Sequence, residues 1–247
     1  MKNLTGKVAF ITGGSRGMGA GIAKRLSDAG ASVAFTHSGK SEDKAHKVLE
    51  AIKSHRGTAM AIKADNEHPD EIIRAMEAGM EAFGPIDILI NNAGIFSLKP
   101  IGEYGVDEYD QMMKINVKAV FVASQFAAKN MEEGGRIINI GSNMAERVSF
   151  PEASLYSMSK SALIGLTKGM ARDLGERRIT VNLIQPGPVD TDMNPADSDH
   201  AASVLTSMAI KRYGKVEEIA GLVAYLCSDE GSFITGTSIT IDGGYNI

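Results

Sequence analysis

Thiols are nearly missing from this chain: Cys227 is its one cysteine, which excludes an internal disulfide framework and a cysteine metal cluster. Cys227 adjoins the apolar helical pattern Ile219 to Leu226 and reads as buried filler, so no metal site is expected. Long apolar runs are missing too; none approaches the roughly 20 residues that cross a bilayer. Nor is there a surplus of positive charge. A formal net charge of −4 argues against nucleic acid or an anionic membrane as the main partner. The start, Met1-Lys2-Asn3-Leu4-Thr5-Gly6-Lys7, runs into a strand with no signal-peptide core, so a cytoplasmic protein is expected. Repeats, low-complexity segments and linkers are also missing. What remains is ordinary globular composition, 43% hydrophobic and 23% charged over 247 residues, long enough for a substantial core.

Short apolar runs alternate with longer helical patterns. Strands are expected at Val8 to Ile11, Ser32 to Phe35, Thr58 to Ile62, Ile86 to Ile90, Arg136 to Ile140, Ile179 to Ile184 and Ser238 to Ile241. Between them lie helical patterns at 17–29, 41–54, 69–83, a long one at about 106–131, and 154–174. Continuous apolar strands separated by helices imply a parallel sheet covered on both faces. The expectation is an α/β protein: one doubly wound Rossmann-type domain over residues 1–247, with a seven-stranded parallel sheet. Pro186 to Gly214 breaks the alternation, and such stretches are commonly functional lids, placed here at about 188–213.

Chemistry concentrates in Tyr156-Ser157-Met158-Ser159-Lys160, with Ser142 upstream. On a helix, Tyr156 and Lys160 at i and i+4 share a face. A tyrosine titrates near pH ~10, so acid–base work at neutral pH calls for a neighbouring positive charge. The turn Thr12-Gly13-Gly14-Ser15-Arg16-Gly17-Met18-Gly19 joins the first strand to the first helix. That is where glycines admit a pyrophosphate against a helix N-terminus.

This turn is similar to the cofactor turn of the short-chain dehydrogenase/reductase family. Other family-like marks follow in order: Asn91-Asn92-Ala93-Gly94, Asn116, Ser142, Tyr156 with Lys160, Pro186-Gly187 and Asp242-Gly243-Gly244. The resemblance covers the whole chain and lies nearest the ketoacyl-reductase-like and carbonyl-reductase (ketone reductase) members, typically homotetramers using NAD or NADP. It implies Tyr156 as general acid in reduction and base in oxidation, and Ser142 as the group bonding the substrate oxygen. Lys160 would lower the Tyr pKa and hold the nicotinamide ribose, and Asn116 would hold a water leading to solvent. Cofactor contacts are implied at Gly13, Ser15, Arg16, Gly17, Met18, Gly19, Asp65, Asn66, Asn92, Ala93, Gly94, Pro186, Gly187, Val189 and Thr191, besides Tyr156 and Lys160. Asp242-Gly243-Gly244 reads as turn or interface structure.

NAD-specific members usually end the second strand with a carboxylate; here Thr36-His37-Ser38-Gly39-Lys40 has none before Glu42. Arg16, His37, Ser38 and Lys40 are placed to meet a 2′-phosphate, which favours NADP over NAD. The pocket lining implied by the family is Phe96, Asn143, Met144, Ala145, Phe150, Leu155, Met193, Leu205 and Met208. It is mostly apolar and lacks a basic anchor, which suits a neutral ketone or ketoester. An acyl-carrier-protein reductase needs a basic docking surface; Arg172 could serve, but Glu132, Glu133, Asp192, Asp197 and Asp199 weaken that alternative. A third reading is of another class. The run from Gln185 to Pro195 resembles that of a family member described as a cyclic-dinucleotide-binding regulator of biofilm dispersal, a nucleotide sensor on the same fold.

Overall fold

A computed structural model describes residues 4–247; the first three residues, part of the start on which the expected absence of a signal peptide falls, lie outside the described residues. The strands are β1 (Val8–Ile11), β2 (Ser32–His37), β3 (Thr58–Lys63), β4 (Ile88–Asn91), β5 (Arg136–Ile140), β6 (Thr180–Pro186) and β7 (Ser238–Ile241). They form one parallel sheet in the order β3-β2-β1-β4-β5-β6-β7. The helices are α1 (Gly17–Asp28), α2 (Glu42–Ser54), α3 (Pro69–Phe83), α4 (Val106–Met113), α5 (Ala119–Asn130), α6 (Ser154–Leu174), α7 (Ala201–Ser207) and α8 (Val216–Cys227). The seven-stranded, doubly wound expectation holds.

Alternation along the strands feeds two cores. In β1, Ala9 and Ile11 face a layer that includes Ile22 and Leu26 of α1 and Val223 and Leu226 of α8. Phe10 faces the opposite layer, with Ile72 and Met76 of α3, Ala123 of α5 and Leu174 of α6. Successive strand residues point to opposite faces, so a strand apolar at every position must be covered twice. Truncating a side chain such as Ile11, fully buried, to Ala should cost about 2–5 kcal/mol.

Two expectations are corrected. The single helix expected at about 106–131 is interrupted: Lys114–Lys118 forms a π-helical turn between α4 and α5. Such a turn puts one extra residue into the helix and re-aims the side chains it carries, here Asn116. Strand β2 also runs two residues past its apolar run, pairing Thr36 with Ile62 and His37 with Lys63. Chain order reverses between β1 and β4, and open α/β sheets bind ligands at the carboxyl ends of strands there.

Candidate active site

At that switch point a cavity of about 280 Å³ opens. Its floor is the turn from β1 to α1. Gly13 sits at φ 67°, a conformation glycine adopts without strain. Gly13 N donates to Thr36 Oγ1 at 2.9 Å, while Asn92 Nδ2 donates to the carbonyls of Thr12 and Gly13 at 3.1 and 2.8 Å. A Cβ on Gly19 would lie 2.2 Å from the Gly13 carbonyl, so the turn closes onto α1 only with glycine there. The first turn of α1 has no acidic residue, and Arg16 occupies its N-cap. Beside it stands a hydroxyl cluster: Ser15 Oγ donates to Ser41 Oγ at 3.1 Å, and Ser38 Oγ lies 3.4 Å from the same atom. Backbone amides at a helix start, hydroxyls and a guanidinium make a cradle that fits the phosphates of a dinucleotide.

The other wall brings titratable side chains together. Tyr156 and Lys160 stand in the first turns of α6, with Lys160 Nζ 5.8 Å from the Tyr156 ring centroid. Lys160 is buried and donates to the Ile140 carbonyl, at the end of β5, at 3.0 Å. Ser142 caps the short turn after β5, accepts from Met144 N at 3.2 Å, and hydrogen-bonds the Tyr156 phenol. Burial pushes the phenol up to about 12, a rise the Ser142 hydroxyl partly offsets. Burial pushes the Lys160 ammonium down to about 8. Both directions follow from desolvation disfavouring the charged form.

Asn116 is buried in the π turn, and its amide is fully engaged. Oδ1 accepts from Ile95 N at 2.9 Å, and Nδ2 donates to Ile95 O, Ser159 Oγ and Met112 Sδ, each at 3.0 Å. It therefore ties the segment after β4 to α6. A Cβ on Gly94 would lie 3.2 Å from Asn116 Oδ1 and 3.3 Å from Lys160 Nζ, so those two polar atoms flank the glycine.

Most of the residues expected from the sequence converge. Gly13, Ser15, Arg16, Gly17, Met18, Gly19, Ser38, Asp65, Asn66, Asn92, Ala93, Gly94, Tyr156, Lys160 and Thr191 line the cavity. His37, Pro186, Gly187 and Val189 are not on its wall. His37 is buried within the β2 ladder, and its Nδ1 sits 3.0 Å from the Ser38 carbonyl. Pro186 ends β6, and Gly187 N donates to Ile241 O. Val189 is buried and bridges to Gly214. Among the expected pocket residues, Phe96 meets Tyr156 edge-to-face at 4.8 Å, and Met193 lines the cavity. Met144, Leu155 and Met208 are buried; Ala145, Phe150 and Leu205 are half-buried. Asn143 turns its amide away to Asn246.

Among the contributors that sequence reasoning missed, three are polar. Ser41 joins the hydroxyl cluster, and Thr36 holds the glycine turn rather than facing a ribose. Asp192, in the stretch between β6 and α7, lines the cavity and pairs with Lys44 of α2. Lys44 and, more weakly, Arg16 hold the Asp192 carboxyl below the ordinary carboxylate value. The run Ser38 to Ser41 was visible as hydroxyl-rich; the Lys44–Asp192 pairing, distant in sequence, left no local signal.

The profile of a family described as Enoyl-(Acyl carrier protein) reductase matches residues 13–246. A short-chain dehydrogenase/reductase from Serratia marcescens BCRC 10948 is 54% identical with a TM-score of 0.97, covering 99% of this chain and all of its own. A short chain dehydrogenase from Burkholderia cenocepacia J2315, solved in complex with NADP, is 50% identical with a TM-score of 0.97, over 99% of this chain and 100% of its own. The cyclic-di-GMP-binding biofilm dispersal mediator protein of Escherichia coli K12 is 43% identical over 245 residues, 99% of each chain. This chain belongs to the short-chain dehydrogenase/reductase family, an oxidoreductase family. No described helix is long and apolar enough to cross a membrane, and among the described residues no cluster of His, Cys, Asp or Glu could hold a metal.

Proposed function

We propose that this protein reduces a neutral ketone or ketoester to a secondary alcohol, and catalyses the reverse, with NADPH as the preferred cofactor. The observation that carries the reading is the Tyr156 phenol, bonded by Ser142 and set beside Lys160, at the edge of a glycine cradle. When bound, a nicotinamide cofactor supplies the hydride. Ser142 and Tyr156 orient the substrate oxygen, and Tyr156 gives its proton to that oxygen as charge develops there. Lys160 places a positive charge beside the phenol and favours loss of its proton. In oxidation the same phenol takes the proton back. Asn116 keeps the segment that carries Gly94 and Phe96 against α6, which holds the lip of the site in place.

Arg16, Ser38 and Ser41 line the same stretch of the cavity, and no carboxylate ends β2, which supports NADPH over NADH. The NADP-bound Burkholderia relative supports the same choice. Exposed Val106 and Tyr109 on α4 and Phe121 on α5 suit burial between copies, in keeping with a homotetramer, which size-exclusion chromatography with light scattering would check. A second reading is favoured by the Escherichia coli relative: binding of a cyclic dinucleotide. One experiment separates them. Neutral ketones, ketoesters and an acyl-carrier thioester are assayed with NADPH and NADH, beside equilibrium binding of cyclic di-GMP. Ketone turnover with NADPH supports the reductase. Tight cyclic-dinucleotide binding without turnover overturns it.

A further inference from the structure

The residues after β7 pack against the loop that carries Ser142 and against residues 208–210. Asp242 bends the chain, its Oδ1 accepting from Gly244 N at 2.9 Å and its Oδ2 from Asn246 N at 3.0 Å. Gly243 and Gly244 both lie at positive φ, 62° and 74°. A Cβ on Gly243 would stand 2.9 Å from Met208 Cε, and one on Gly244 2.7 Å from Ala209 Cβ. The turn is thus seated on the lid, where Ile210 N donates to Gly243 O at 2.9 Å. Its other side meets the loop that carries Ser142. Asn143 is buried, and its Nδ2 donates to Asn246 Oδ1 at 3.1 Å; Asn246 Nδ2 donates back to Asn143 O at 2.9 Å. Arg147 Nη1 donates to the carbonyls of Tyr245 and Ile247, at 3.3 and 3.1 Å. Ser149 Oγ donates to the Tyr245 hydroxyl at 2.9 Å.

A reciprocal amide pair fixes orientation as well as distance, since two bonds in a ring resist rotation that one bond allows. Here the ring includes the carbonyl of the residue next to Ser142. Beyond β5 the Ser142 loop has left the sheet ladder; within itself it has short turn bonds from Met144 N and Ala145 N, and from Glu146 N and Arg147 N to Asn143 O. Helix α6 grips its far side through Ser157 Oγ to Met144 O and Ser161 Oγ to Ala145 O, both at 2.7 Å, leaving the terminal turn as the grip on Asn143 itself. Its orientation therefore depends on what grips it from outside.

We propose that Asn246 is a positioning residue: paired with Asn143, it holds the Ser142 hydroxyl against the Tyr156 phenol, and the terminal turn links that alignment to the seat of the lid. The kinetic arm of the test rests on the reductase reading; the exchange arm does not.

Hydrogen exchange of the unliganded protein and steady-state kinetics with NADPH are measured on Asn246→Ala, Asn143→Ala, the double variant and Asn246→Asp. Losing the pair should speed exchange at the Met144, Ala145 and Ile210 amides by about tenfold, as loss of one buried hydrogen bond implies, with Ile137 to Ile140 unchanged. In Asn246→Ala, kcat should fall about tenfold while ketone KM and NADPH Kd stay within about two-fold. The profile of alcohol oxidation should shift to higher pH, because the phenol loses its Ser142 partner. The double variant should be no worse than either single, since one interaction is removed twice. Asn246→Asp, which keeps the acceptor and loses the donor, should fall between. Unchanged exchange at Met144 in a folded variant overturns the assignment, as do additive losses in the double variant or equal acceleration in β5. If Asn246→Ala does not fold, Asn143→Ala and Asn246→Asp decide by the same readouts. If the wild type reduces no ketone, the reductase reading fails while the exchange data still decide the pairing.

Discussion

Lys160→Met should make this protein more stable while removing its activity. Lys160 is 5% exposed, and burial lowers its pKa from 10.5 to about 8. At ~1.4 kcal/mol per unit, the charged ammonium at pH 7 is held at a penalty of about 3 kcal/mol. Methionine keeps the length of the stem and removes the charge. It also removes the bond to Ile140 O, a loss of about 1 kcal/mol. The net gain is about 2 kcal/mol, or about 4–8 °C in Tm for a chain of this size. The sign with pH follows from linkage. Between about 8 and 10.5 the unfolded chain binds a proton at this lysine that the folded chain has released, so the wild type gains stability as pH rises through that window. Below 8 both states are protonated, and the penalty is complete.

The advantage of Lys160→Met should therefore be largest at pH 7, fall to nothing as pH approaches 10.5, and reverse above it by about 1 kcal/mol, the bond to Ile140 O that only the wild type keeps. Urea unfolding of both proteins at several pH values isolates this residue, because every other titration cancels in the difference. A difference that does not change with pH, or a variant less stable at pH 7, refutes the reasoning: the ammonium would then be paid for by partners other than the Ile140 carbonyl.

Tyr156→Phe keeps the ring against Phe96 and removes only the transferable proton, so kcat should drop by about 10²–10⁴ while NADPH affinity is retained; single-turnover kinetics and a binding titration check both. Ser38→Asp should swing the NADPH/NADH ratio of kcat/KM by at least about tenfold towards NADH, since a repulsion of about 1.4 kcal/mol suffices. Arg16→Ala should weaken NADPH by about 10- to 100-fold and NADH little, as loss of a charge-assisted bond implies; equal loss for both would place Arg16 elsewhere. Gly19→Ala should abolish cofactor binding by calorimetry, because the new Cβ would sit 2.2 Å from the Gly13 carbonyl and spread the turn.

Legibility in the sequence followed the range of the interaction. The central strands were legible because burial on both faces leaves no polar alternation to confuse the pattern, and Tyr156 and Lys160 because four residues on a helix fix their relation. The interruption at Lys114–Lys118 was not, since the apolar spacing continues through it and the cause is distant: Asn116 reaches Ile95 and Ser159. The end of β2 was misjudged for a related reason. Thr36 and His37 are polar, so the apolar run stops at Phe35, yet both residues pair with β3. Their side chains are consequently buried, one on the glycine turn and one against its own loop, and Ser38 and Ser41 reach the cavity instead. Asn143 failed in the same way, because its partner lies 103 residues on.

The proton chemistry shows what spacing alone leaves out. A lysine four residues from a tyrosine implies a lowered phenol pKa, yet in this site burial takes the phenol to about 12 and the ammonium down to about 8. Each group is desolvated more than its neighbour compensates, and with Lys160 Nζ 5.8 Å from the ring centroid the ammonium gives its hydrogen bond to a backbone carbonyl instead. Both groups are thus biased towards their neutral forms, which suits a phenol that must keep its proton until charge develops on the substrate oxygen. The pair then divides the work unequally. Tyr156 stays protonated across the whole neutral range, so it is ready as an acid at any working pH. Lys160, at about 8, is the group whose charge changes near neutrality. Under the proposed reductase reading, the upper pH limit of ketone reduction by the free enzyme should accordingly belong to the lysine, with the tyrosine as the proposed proton donor.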